Sequence, residues 1–143
     1  MKPSFLLILL GLLFSSTPGW AENANTVKVF VNSSVPERAL SINNVRSIFS
    51  MRTRSWSDGS AITVFILKDK QGTHNQFVRQ SLRMAPHQLQ RSWDRYRYTG
   101  TGQTPIELAN EQQMIQRIAT TPGAIGYTSQ EFQDAQVQPI HIH

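Results

Sequence analysis

The sequence predicts a single α/β domain, a three-layer mixed sheet flanked by helices. Three observations carry that expectation. Ile62-Thr63-Val64-Phe65-Ile66-Leu67 is apolar almost throughout, as a central strand covered on both faces would be. Short strand-like runs alternate with segments whose apolar residues recur at helical spacing, the pattern of interleaved strands and helices. Near the end, Thr121-Pro122-Gly123 stops a helix and a short apolar run, Ala124 to Thr128, follows with Gly126 inside it. Proline has no amide proton to continue a helix, and glycine tolerates the positive φ that ends one.

Each element has a local reason. Val27 to Val31 alternates loosely and reads as a first strand ended by Asn32-Ser33-Ser34. Ser41 is placed to cap a helix running to about Ser50, with Leu40 and Val45 as a hydrophobic staple and Ile48 and Phe49 inward. Met51 to Ser60 is a polar loop closed by the Asp58-Gly59 turn signal. Thr73-His74-Asn75-Gln76 has the form of a capping box and opens a helix with Phe77, Val78 and Leu82 on its buried side. Pro86 starts another helix, in which Leu89, Trp93 and Tyr96 form one stripe, and Tyr98 to Gln103 reads as a glycine-rich flexible loop. Thr104-Pro105-Ile106-Glu107 is a second box, predicting a helix through Leu108, Met114, Ile115, Ile118 and Ala119. Val137 to Ile142 is expected as a closing strand. Gly126, a glycine within a strand, marks close approach by another element or by a ligand.

The first residues state a compartment. Lys2, the apolar run Phe5 to Phe14 and the small residues of Gly19-Trp20-Ala21 read as a secretory signal over residues 1–21, cleaved after Ala21. Residues 22–143 then form one domain, expected in a bacterial periplasm with no stable membrane insertion after cleavage. Cysteine is absent, so neither a disulfide framework nor a lipid-attachment thiol is available. The net charge of +5 is carried mainly by arginine, notably Arg52, Arg54, Arg79, Arg83, Arg91, Arg95 and Arg97. Such a balance favours small anions, acidic glycans or anionic lipid head groups. No nucleic-acid recognition module accompanies it.

Pro122 to Tyr127 resembles the "PGAIGY" segment of the phosphate-type solute-binding proteins of ABC transporters. The order of Ile48-Phe49, Trp56-Ser57-Asp58-Gly59 and Ile62 to Leu67 is similar to that family, as is the order of Phe77, Leu82, Leu89, Trp93 and Tyr98-Thr99-Gly100. The resemblance implies one lobe of a type 2 periplasmic binding protein. A full member has two lobes closing on a ligand, and this chain has room for one. The matching tryptophans, Trp56 and Trp93, are expected in the core.

The candidate site is the turn from the buried strand into the next helix: Lys68, Asp69, Lys70, Gln71, Gly72 and Thr73, with His74 beside it. Ligands of open α/β sheets sit at such carboxyl ends, and the amides and dipole of a first helical turn attract anions. The turn is similar to the family's second-lobe loop, R-x-D-x-S-G-T, through Asp69, Gly72 and Thr73. Leu67 stands where the arginine would be and Gln71 where the serine would be. Two readings stay open there, an oxyanion seat or a plain helix cap formed by Thr73 with solvated lysines. His74 reads as a surface histidine, and Trp56 with Arg52 and Arg54 as a cationic loop. His141 and His143 share one strand face without a third ligand, so no metal is expected. No cofactor motif and no catalytic constellation appear, so an enzyme is not expected. Two functions remain. One is an exported binding module for phosphate or a related oxyanion. The other is a non-transport protein that keeps the fold and docks on an envelope complex or a sensor domain.

Overall fold

The computed structural model describes residues 26–68, 72–100 and 102–143. The proposed signal segment and the Asp69 to Gln71 part of the turn lie outside the described residues. The chain runs β1 (Lys28–Asn32), β2 (Ala39–Leu40), α1 (Ile42–Phe49), β3 (Thr63–Leu67), α2 (Thr73–Gln80), α3 (Pro86–Thr99), β4 (Ile106–Leu108), α4 (Glu111–Thr120), β5 (Ala124–Thr128), β6 (Val137–Pro139) and β7 (His141–Ile142). Five strands form a mixed sheet in the order β4-β3-β5-β1-β6. β3 is parallel to both β4 and β5, whereas β1 is antiparallel to both β5 and β6. β2 and β7 form a separate parallel pair.

The three layers follow from how β5 distributes its side chains. Tyr127 stacks on Phe77 of α2, with ring centroids 3.9 Å apart, and Phe77 in turn meets Phe49 of α1. Its neighbour Gly126 faces the opposite way, where a Cβ would press into Met114 and lie 2.9 Å from Ile118 Cδ1, both on α4. The sheet is therefore sandwiched between α4 and the α1–α2 layer, and α3 packs against α2. Gly126 is a helix-packing glycine. Gly126→Val should lower the urea unfolding midpoint by an amount equivalent to about 1–3 kcal/mol, since a branched side chain overpacks the α4 contact. An unchanged midpoint would mean that α4 can retreat.

Several local signals hold. Ser41 Oγ accepts from the Asn44 amide at 3.1 Å and caps α1. Pro86 occupies the first turn of α3, and Leu89 and Trp93 are its buried residues. Asp58-Gly59 makes the expected turn, with Gly59 at φ 85° and the Asp58 carboxylate accepting from both the amide and hydroxyl of Ser60. Those bonds, the hydroxyl's first, hold the Asp58 carboxyl below its ordinary range. Trp56 and Trp93 are core residues tied by their indole N–H groups. Trp93 donates to the Phe49 carbonyl at 2.8 Å and Trp56 to the Gly123 carbonyl at 2.9 Å.

Four expectations are corrected. Thr104 to Glu107 does not open a helix, because Ile106–Leu108 pairs in parallel with Phe65–Leu67 and buries Leu108. A sheet ladder satisfies that backbone better than a helical turn begun at Pro105. The operating box lies further on: Asn110 Oδ1 accepts from the Gln113 amide while Gln113 Oε1 accepts from the Ala109 amide. The closing strand is broken in two, since Pro139 has no amide for the ladder and the chain crosses from β1 to β2 at Ile140. Tyr98 and Thr99 belong to α3, which ends on Gly100 at φ 64°. Finally, Gly72 and not Thr73 is the N-cap of α2.

Candidate functional site

The parallel strands β3, β4 and β5 end side by side at Leu67, Leu108 and Thr128, and the helices α2 and α4 start from that edge. A cleft of about 440 Å³ opens there, lined by Leu67, Thr73, Asn110, Glu111, Gln112 and Gln130. Its position at the carboxyl ends of parallel strands is the one open α/β sheets use for ligands.

The two helix starts are built from different residues. At α4 the Asn110 side chain caps the first turn, and Glu111 adds a carboxylate to it. Glu111 Oε1 accepts from the Ser129 amide at 2.6 Å, the Ser129 hydroxyl at 2.8 Å and the Thr128 hydroxyl at 3.2 Å. This carboxylate neutralises the positive end of α4 and fastens it to the end of β5. At α2 the N-cap is Gly72, which has no side chain of its own to cap the helix, and the first turn carries no acidic residue. Thr73, its first residue, lines the cleft.

The sequence-derived site residues are placed as follows. Gly72 begins α2, Thr73 lies half-buried at the cleft, and Lys68 is exposed where β3 leaves the sheet, its amide donating to the Leu108 carbonyl at 2.9 Å. Lys70 and Gln71, with Asp69, lie outside the described residues. His74 is buried, 7% exposed, and not the surface histidine expected. With Gly72 as the cap, positions 74, 77 and 78 share one helical face, so the imidazole turns inward with Phe77 and Val78. Its Nδ1 meets the Tyr127 hydroxyl at 2.5 Å, and that hydroxyl also accepts from the Leu67 amide at 2.9 Å. Tyr127 thus ties the strand end on one side of the cleft to the first turn of α2.

A larger depression of about 1680 Å³ adjoins the cleft at Glu111 and Gln130. Glu131 and Asp134 line it with Glu111, against Lys28 alone, so it is ill suited to an anion. The His141 and His143 rings stack 6.3 Å apart. Among the described residues no three potential metal ligands converge, and no helix is long and apolar enough to cross a membrane.

Residues 24–141 match the family model of the PBP superfamily domain. The chain belongs to the PBP superfamily. No curated protein matches the sequence. Among solved structures, this PBP-superfamily chain is similar to an ABC-type phosphate transport receptor from Vibrio cholerae, with a TM-score of 0.60 and 16% identity over 82% of this chain and 46% of the other. It is also similar to a Clostridium perfringens protein described as a phosphate ABC transporter substrate-binding protein with bound phosphate, at TM-score 0.65 and 15% identity, covering 82% and 44%. A third is a possible phosphate-binding protein from Planctomyces limnophilus, at TM-score 0.57 and 13% identity, covering 82% and 41%. The shared fold is therefore a PBP fold, and this chain spans under half the length of each of these proteins.

Proposed function

We propose that this domain binds a small oxyanion, phosphate or a close relative, at the start of α2. The observation that carries the reading is the cleft at the carboxyl ends of the parallel strands β3, β4 and β5, which Thr73 lines from the first turn of α2. In this reading the Thr73 amide and hydroxyl donate to the anion, and Gly72 lets it approach the backbone closely. Lys68, Lys70 and Gln71 supply charge and polar contact from the turn. The His74 ring serves the site from inside, holding the first turn of α2 against Tyr127. The three phosphate-related fold neighbours support this ligand class. Export to the periplasm through the residue 1–21 signal and a binding rather than catalytic role belong to the same reading.

A second reading is favoured by Leu67 in place of the arginine: a protein of the envelope that keeps the fold and docks on a complex or sensor domain. Titration calorimetry separates the two. Restoring the arginine at Leu67 is a poor test, because Leu67 is buried and its amide is held by Tyr127. Thr73→Ala is cleaner, since Thr73 is not the cap, and its stability should stay within about 0.5 kcal/mol of wild type. Wild type should give phosphate-specific heat above a chloride control, and Thr73→Ala and Lys68→Gln should each weaken it several-fold. Phosphate at about 100 times its dissociation constant should add roughly 2.7 kcal/mol of stability. Wild type without phosphate-specific heat leaves the second reading.

A further inference from the structure

Arg79, Arg83, His87, Arg91 and Arg95 recur at every fourth position, from the last turn of α2 through the connecting turn and along α3. All five are exposed. On α3 a four-residue step keeps side chains near one face, and the buried stripe of Leu89 and Trp93 lies opposite. His87, Arg91 and Arg95 therefore point away from the sheet, and Tyr98, 91% exposed, extends the same outer face.

The local carboxylates do not neutralise this row. Asp94 and Glu107 both engage Arg97, at 3.9 and 3.7 Å, and these are the ion pairs present among the described residues. Arg91 and Arg95 have no carboxylate partner there. Arg83 adds a second observation, because it lies in the turn between α2 and α3 at φ 50°, a left-handed conformation that costs a residue other than glycine roughly 1–2 kcal/mol. Its carbonyl accepts from Arg46, while its side chain makes no hydrogen bond or ion pair among the described residues. A basic side chain is thus carried at a strained position with no return inside the fold.

We propose that the outer face of α3 is an electrostatic docking surface for an anionic lipid bilayer. Charge complementarity selects a polyanionic partner, and the shape of the face selects a plane. The row follows a helix about 17 Å long from residue 87 to 98 at 1.5 Å per residue. It has no apolar cluster of the kind that anchors protein interfaces, since Tyr98 and Ile106 are the exposed large hydrophobics among the described residues. A tyrosine at the edge of a basic strip suits the head-group layer, where its ring is half apolar and its hydroxyl stays wet.

The test is co-sedimentation of the full chain with vesicles of phosphatidylcholine alone or mixed with phosphatidylglycerol. The apolar N-terminal run is common to all variants, so the added anionic lipid isolates the charge effect. Wild type should bind the anionic vesicles more than the neutral ones, and added salt should remove the difference. Arg91→Gln with Arg95→Gln should lower anionic binding about 25-fold, about fivefold for each basic residue near an anionic leaflet. The charge-keeping pair Arg91→Lys with Arg95→Lys should bind like wild type. Lys28→Gln with Arg117→Gln, which removes the same charge elsewhere, should leave binding within about twofold by the same scale. Equal binding to both vesicles, or equal loss in the two charge-removing pairs, overturns the proposal. Binding to immobilised polyglutamate without binding to anionic vesicles also overturns it, in favour of an acidic protein partner.

Discussion

Gly123→Ala is expected to cost about 2–5 kcal/mol, a large share of the roughly 5–15 kcal/mol that holds an ordinary domain together. Two penalties combine. Gly123 sits at φ 73°, where a side chain costs roughly 1–2 kcal/mol, and an added Cβ would collide with the Ala61 carbonyl oxygen. That oxygen belongs to backbone and cannot rotate away, so the overpacking term of about 1–3 kcal/mol applies in full. The surroundings are also fixed: the Gly123 carbonyl accepts from Trp56, and its amide donates to the Ser34 hydroxyl at 2.9 Å. Urea unfolding monitored by tryptophan fluorescence gives the measurement. A loss below about 1 kcal/mol would show that the α4–β5 corner relaxes, contrary to this packing.

Tyr127→Phe should cost about 2–4 kcal/mol, with almost no change in shape. The phenol oxygen bonds the Leu67 amide and the His74 imidazole, both buried, and the substitution removes both bonds at about 1–2 kcal/mol each. The ring stack on Phe77 survives the substitution, so the loss reports the hydroxyl alone. If the α2 start is the oxyanion seat, phosphate affinity should fall as well, since the first turn of α2 is no longer held in place. Chemical denaturation and calorimetry on the same variant check both. A stability within about 0.5 kcal/mol of wild type would show that water replaces the hydroxyl at both partners.

What could be read along the chain was whatever has a local cause. β3 shows as an unbroken apolar run, α1 as a serine cap ahead of a staple, α3 as a proline start, and β5 as an apolar run behind a Pro-Gly stop. β4 could not be told from a helix start, because its state is decided by Phe65–Leu67, far away in sequence. The motif at Thr104 and the box at Asn110 look alike until the ladder beside β3 is known. The site divides in the same way. The strand-to-helix turn at Lys68 to Thr73 was legible from a rule about sheet edges. The Glu111 clasp on Ser129 and the Tyr127 bridge between Leu67 and His74 were not, since each joins residues that only the folded sheet brings together. His74 was legible in principle: it shares the helical spacing of Phe77 and Val78, and assigning the cap to Thr73 hid this.

The place of β1 in the sheet has a kinetic side. The first strand of the domain lies between β5 and β6, which come from the last stretch of the chain. No local hairpin can stand in for either neighbour, and both closures span most of the sequence. Such long-range pairing must meet its loop entropy before it is rewarded, which slows folding. A chain still being synthesised, or still being threaded through a narrow pore, has Val29 and Val31 available but nothing to pair them with. β1 gains its ladders only once the segment that carries β5 and β6 is delivered, and the sheet then closes around it.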